Sequence, residues 1–535
     1  MTRLLRLGMA ALAGAAMLGL AAPARAQSSG DFAHADQASV AYTLAQTHPV
    51  RSCASLRALG GGNLTILSAQ TIAATATVPE HCQVRALIAP ENRIEVDLPT
   101  AWNRRLYMFG NGGYTGESLD APQRQGYSNA ALARGFLSVQ TNTGHDAAHE
   151  ELGSFANDYA KLVDYAFRAV HRSVVTAKHL AGAYYARPAA FSYWDGCSTG
   201  GRQGLMEAER FPNDFDGILA GAPVLNFTDT MIDYIWNWQA LNGVGMTVDK
   251  AKTVAHAVYE RCDAKDGLKD GLIADPRACD FDPARDVAAC PAGQDRGDCL
   301  TAAQAGAVRK IYQGIRLPDG SSYFFGWAPG GEVVGSASDG SGTQVSGWQR
   351  WFIGMDGQAS RQTQYGLSFM RYLAFDREVA DFDPAKFDFA RDPLRMGNIR
   401  ALLDATNPDL SAFRAHGGKL IQYHGWADTA LTPLMSVDFY QRALATNGPE
   451  TGNFYRLFMI PGMAHCRGGI ATDSFDGISA LIDWVENGRA PDRIAAARLR
   501  DGKTDRTRPL CPYPQKAVYS GHGSSDDAAN FHCAE

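Results

Sequence analysis

The stretch Phe191-Ser-Tyr-Trp-Asp-Gly-Cys-Ser-Thr-Gly-Gly-Arg-Gln203 constrains this chain more than any other. An aromatic, strand-like run leads into Gly196-x-Ser198-x-Gly200, and a helix-like run follows. That is the pattern of a tight turn from strand to helix which pushes a serine hydroxyl out at the top of a sheet. Glycines on both sides relieve the crowding of so sharp a turn. Cys197 stands directly before the serine, and far down the chain Cys466 directly follows His465.

The surrounding sequence supplies strands and helices to build such a sheet. Arg105–Phe109 reads as a short strand ending in the glycine-rich loop 110–116. Residues 135–140, 189–194 and 217–223 read as further strands. Tyr159 to Tyr185 has helical apolar spacing, with Leu162, Tyr165, Ala166, Ala169 and Val170 on one face. This alternation predicts an α/β fold with a mostly parallel sheet covered on both faces. From about Asn226 to Arg414 the character changes. Trp236, Trp238, Trp327, Trp348 and Trp351 cluster there, Gly and Ser concentrate at 330–347, and four cysteines fall in the segment. We read 226–414 as an inserted lid domain. The strand pattern resumes at 419–424 and 454–460, so 27–225 and 415–535 form the catalytic domain.

Residues 1–26 read as a signal peptide, with Arg3 and Arg6, an apolar run from Leu7 to Leu20, and the cleavage pattern Ala24-Arg25-Ala26. Export to the periplasm or the medium is the expectation. No later segment is long and apolar enough to span a membrane. A net charge of −6 argues against a nucleic-acid partner. Export makes disulfides the default reading of the ten cysteines, and the absence of a C-x2-C spacing weighs against zinc. Sequence does not fix connectivity. The short gaps suggest local pairs, Cys53 with Cys82, Cys262 with Cys279, Cys290 with Cys299 and Cys511 with Cys533, which would leave Cys197 and Cys466 for each other.

Each resumed strand ends in a candidate partner for the serine. Asp428 follows one and His465 the other, and the order Ser198, Asp428, His465 is that of α/β hydrolases. The chemistry needs all three, because a serine hydroxyl is a weak nucleophile until an imidazole takes its proton. A carboxylate must then fix the imidazole tautomer and stabilise its cation. Thr199 and Gly113 are the candidate backbone donors to an oxyanion. His145 and His171 precede the serine, and His424 lies too near Asp428 in sequence to face it easily; all three read as structural. Cys197 occupies the x position of the turn, where a side chain points away from substrate, which argues against a cysteine nucleophile.

At these residues the chain resembles the tannase and feruloyl esterase family of α/β hydrolases. The resemblance rests on Gly196-Cys-Ser-Thr-Gly-Gly-Arg202, His424-Gly-Trp-Ala-Asp428, Pro461-Gly-Met-Ala-His-Cys466, Phe211-Pro-x-x-Phe-Asp-Gly-Ile218 and Arg508-Pro-Leu-Cys-Pro-Tyr-Pro514. It covers nearly the whole mature chain. It implies a serine carboxylesterase acting on esters of aromatic acids, feruloyl or galloyl. It also implies a Cys197–Cys466 disulfide tying the two catalytic loops together, and the four local pairs named above. A structural Ca²⁺ in the lid is implied as well, held by the side chains of Asp263, Asp266 and Asp270 and the carbonyls of Leu268 and Leu272; hard oxygen ligands suit that ion. No organic cofactor is expected. Trp351 and Ser368 match substrate-contacting lid positions. One branch of the family hydrolyses terephthalate monoesters. There a glutamate follows the serine and an arginine grips the free carboxylate, where this chain has Thr199 and Thr363, with Arg361 or Arg371 as possible substitutes. That branch is the alternative reading, and a non-catalytic binding protein or a calcium-dependent adhesion module on the same scaffold are others.

Overall fold

The computed structural model describes Phe32 and residues 40–42, 45–335, 345–355 and 357–535. The expected signal peptide lies outside these residues. The centre of the molecule is a nine-stranded sheet. Its strands are β1 (Leu64–Ile72), β2 (His81–Ile88), β3 (Asn92–Pro99), β4 (Arg105–Phe109), β5 (Leu137–Thr141), β6 (Phe191–Cys197), β7 (Gly217–Gly221), β8 (Lys419–Gly425) and β9 (Tyr455–Ile460). The spatial order is β1-β2-β3-β5-β4-β6-β7-β8-β9. β1, β2, β3 and β5 pair antiparallel, while β5, β4, β6, β7, β8 and β9 are mutually parallel. This is the α/β-hydrolase arrangement that the strand-helix alternation predicts.

The parallel strands are short and apolar because both their faces are covered. Every residue of β4, β5 and β7 is buried. Along β4 the side chains alternate between two cores, Leu106 and Met108 in one, Tyr107 and Phe109 in the other. Residues 159–185 form one helical run, interrupted by a π-turn at Asp164–Arg168, and the five residues expected on its inner face are all buried. Strand bounds shift where turns intervene. Gly135 has φ +77°, so β5 begins two residues after it. β6 runs on through Gly196 to Cys197, which pairs with Gly221 of β7.

Between β7 and β8 the described residues add helices and no strand of the central sheet. The helix Phe227–Leu241 packs against the helix Arg361–Tyr372. Among the described residues, no helix is long and apolar enough to cross a membrane.

All ten cysteines are bonded, and in the pairs that the short gaps and the family resemblance suggest. Cys53–Cys82 ties the short helical turn Cys53–Leu59 to β2 at the antiparallel edge of the sheet. Cys262–Cys279 and Cys290–Cys299 close small loops of the inserted segment, their partners separated by 17 and 9 positions in sequence. Cys511–Cys533 joins the two strand-rich pieces of the C-terminal tail, and Cys197–Cys466 spans the whole insertion.

Candidate active site

Ser198 sits at the junction of β6 and the helix Thr199–Arg210, with φ 64° and ψ −121°. A non-glycine residue holds such a conformation only when its surroundings enforce it. Here the enforcement is backbone contact. The Ser198 N–H donates to Gly221 O at 3.0 Å, and Ser198 O accepts from Arg202 N at 3.1 Å. A methyl group on Gly196 would lie 2.7 Å from the Gly200 carbonyl carbon, and one on Gly110 would lie 2.5 Å from Gly200 Cα. The turn and the glycine-rich loop after β4 therefore touch main chain to main chain, which only glycine permits.

That loop carries Gly113, at φ +54°. Its carbonyl accepts from Thr199 Oγ1 at 2.5 Å and from Tyr165 Oη at 3.2 Å, and Tyr365 Oη would collide with any side chain placed there. Thr199 and Gly113 both line the cavity that opens over Ser198. The cavity measures about 460 Å³. Tyr114, Phe227, Met231, Tyr234, Trp351 and Tyr365 give it an aromatic, apolar wall, most of it from the segment between β7 and β8.

His465 lines the same cavity, in the loop after β9. Its Nδ1 lies 2.8 Å from Asp428 Oδ2. The Trp351 ring meets its imidazole edge-on, with centroids 5.8 Å apart. Asp428 is buried, and its Oδ1 accepts the N–H groups of Ala430 at 2.8 Å and Leu431 at 3.0 Å. Burial pushes this carboxyl upward, but the facing imidazoles of His465 and His424 and their hydrogen bonds outweigh it and hold the group well below the usual carboxylate range. An ionised acid next to Nδ1 leaves Nε2 of His465 as the basic atom on the cavity side. The arrangement can accept a proton from a hydroxyl in the cavity and return it.

Cys197 and Cys466 form the disulfide between the residues flanking Ser198 and His465, across 269 positions of sequence. His424 departs from expectation. The chain turns back after β8, with the Asp428 N–H donating to Gly425 O, and this brings His424 Nε2 to 3.2 Å from Asp428 Oδ2. Four residues of separation are enough once the strand ends in a turn. His145 is structural: it stacks on Phe155 and contacts Tyr114 O through Nε2. His171 is held by Asp214 at 2.6 Å and stacks on Phe211.

Trp351 lines the cavity, but Ser368 does not; its hydroxyl donates to the Leu152 carbonyl. Thr363 and Arg361 are likewise outside the lining, and Arg371 pairs with Glu151 and Glu378. The cations Arg124, which pairs with Glu117, and Arg467, beside the histidine, do line the cavity; spacing alone singled out neither.

Two groups of residues have the chemistry of a metal site. In the 263–272 loop, Asp266, Leu268, Asp270 and Leu272 share the wall of a second cavity, about 80 Å³. Burial, with neighbouring carboxylates adding to it, pushes Asp263 and Asp266 above the usual range. Hard oxygen ligands of this kind suit a dication, while Asp270 is ion-paired with Arg508 and Asp263 Oδ1 accepts the N–H groups of Asp270 and Gly271. Leu272 of this loop packs over Gly462, three residues before His465. Elsewhere, ligand atoms of His171, Glu207 and Asp214 lie within 4.8 Å of one another. The Lys178 ammonium bonds the Asp214 main-chain carbonyl beside them, and burial pushes Glu207 well above the usual carboxylate range.

Fold and site together define an α/β hydrolase. A family model described as tannase and feruloyl esterase matches residues 76–534. The chain belongs to that family and is a carboxylic ester hydrolase. It is 34% identical to mono(2-hydroxyethyl) terephthalate hydrolase of Piscinibacter sakaiensis over 530 residues, covering 87% of each chain. It is 31% identical to probable feruloyl esterase B-1 of Aspergillus flavus, over 89% of this chain and 90% of that one. Feruloyl esterase B from Aspergillus oryzae, a crystal structure, superposes with a TM-score of 0.75 at 28% identity, over 90% of this chain and 99% of that one.

Proposed function

We propose that this chain is an exported serine esterase that cleaves esters of aromatic acids, feruloyl and other hydroxycinnamoyl or galloyl esters, with Ser198 as nucleophile, His465 as base and Asp428 as its orienting acid. The observation that carries this reading is the shared cavity. Ser198, on its enforced turn, and His465, fixed by a buried ionised carboxylate, open onto one aromatic-walled space. The Ser198 oxygen attacks the ester carbonyl while its proton passes to His465 Nε2. The N–H groups of Thr199 and Gly113 receive the oxyanion. The proton then leaves with the alcohol, and water, deprotonated by the same imidazole, releases the acid. The segment 226–414 acts as a lid whose aromatic side chains hold the acid ring. Calcium, held by Asp263, Asp266 and Asp270 and the carbonyls of Leu268 and Leu272, supplies rigidity to this lid.

Comparing turnover of methyl ferulate, methyl gallate and a terephthalate monoester by native protein and Ser198→Ala tests the proposal. Ferulate or gallate turnover that vanishes in the variant is expected. Turnover that survives the variant would sink the mechanism. A preference for the terephthalate monoester would select the second reading, which the 34% identical relative and the position of Arg467 in the cavity favour.

A further inference from the structure

Asp428 faces two histidines. Its Oδ1 is taken by two backbone N–H groups, and His465 Nδ1 and His424 Nε2 both approach Oδ2, at 2.8 and 3.2 Å. His424 is wholly buried, and its Nδ1 lies 2.7 Å from Ser436 Oγ, also buried, on the helix Leu434–Asn447. A bare Nε2 lone pair at that distance from a carboxylate oxygen would be repulsive in a dry interior. The stable arrangement carries the proton on Nε2, and the Ser436 hydroxyl donates to Nδ1. Tyr234, from the helix Phe227–Leu241, closes the surroundings by donating to Ala430 O; burial pushes its phenol up, so it stays neutral.

We propose that His424 is a positioning residue for the triad acid. Its Nε2–H sets a positive edge 3.2 Å from Asp428 Oδ2, off the line of a full hydrogen bond, and leaves the well-aligned direction to His465, while Ser436 locks its tautomer. This stops the carboxylate from rotating and moderates the negative charge that His465 feels. The inference rests on the serine mechanism above.

The test uses the full chain, a small activated ester such as p-nitrophenyl acetate, and His424→Gln, His424→Phe and Ser436→Ala. Glutamine returns an N–H near the position of Nε2; phenylalanine keeps the ring without it. For His424→Phe we expect kcat to fall by about tenfold to a hundredfold with KM little changed, the range seen when an outer partner of a catalytic group is lost. The acid limb of its kcat/KM profile should move to higher pH, because an unshared carboxylate favours the imidazolium. His424→Gln should restore most of the rate, and Ser436→Ala should show a smaller shift of the same sign. If His424→Phe does not fold, the other two variants decide. A glutamine variant no better than phenylalanine, or an acid limb that stays in place in both His424→Phe and Ser436→Ala, would overturn the proposal. Native protein that neither hydrolyses the ester nor reacts with a serine-directed fluorophosphonate would instead refute the serine mechanism itself.

Discussion

Gly110→Ala puts a single methyl group where the loop after β4 meets the serine turn. Its Cβ would lie 2.5 Å from Gly200 Cα and 3.1 Å from both Gly196 Cα and the Trp194 ring. Non-bonded carbons settle at roughly 3.5 Å or beyond, so the turn must retreat by about 1 Å. The neighbours are main chain of β6 and its helix, which cannot swing aside as a side chain would. Overpacking of this kind costs about 1–3 kcal/mol of stability. A displacement of about 1 Å in a reacting group costs on the order of a hundredfold in rate. The expected variant is therefore folded, a few degrees less stable, and about a hundredfold slower. Gly182→Ala is the control, since nothing lies within 4 Å of a Cβ there and the helix Ala169–Tyr185 should gain up to about 1 kcal/mol. Ester turnover, fluorophosphonate labelling and thermal melts would be recorded on both. A folded Gly110→Ala with native kcat/KM would refute the argument that close main-chain contact fixes Ser198.

Three further outcomes are expected. Replacing Cys197 and Cys466 together by serine should lower the melting temperature, with a chain-entropy ceiling on the order of 5 kcal/mol for so long a loop, and should depress kcat with no thiol present to take over as nucleophile; undiminished kcat in the double variant would contradict the clamp. Dialysis against EDTA should lower the melting temperature and added Ca²⁺ should restore it, while Asp266→Asn should blunt that response in calorimetry. Asp233, buried beside Trp327 and Asn237, is pushed by burial to about 8. The unfolded carboxyl ionises near 3.9, so the folded state binds the extra proton between those values and stability falls as pH rises through that window. Asp233→Asn, which cannot ionise, should gain on the native protein in melts from about pH 5 to about pH 8; a constant difference would contradict burial as the cause.

The parts legible in the sequence are those set by local sterics or by burial on both faces. The Gly196-x-Ser198-x-Gly200 turn declares itself because only that pattern tolerates the geometry, and β4 because Arg105–Phe109 is a short apolar run ending in glycines. β1 escaped notice because one of its faces is largely exposed, so the apolar signal in Leu64–Ile72 is broken. The placing of β4 beyond β5 is a crossover that no local run encodes. The seating of Tyr365 over Gly113 and of Leu272 over Gly462 depends on how the insertion folds back, and residues so far apart in sequence carry no local trace of it. His424 was visible as a residue but not as a contact, since its approach to Asp428 depends on the turn that follows β8.

On the proposed mechanism, the Cys197–Cys466 bond also bears on when the two catalytic loops reach a fixed spacing. Until it closes, the loops bearing Ser198 and His465 are joined only through the sheet and the long segment between β7 and β8. A newly made chain in a reducing compartment would lack that fixed spacing. On that mechanism, esterase activity would rise as the two cysteines are oxidised.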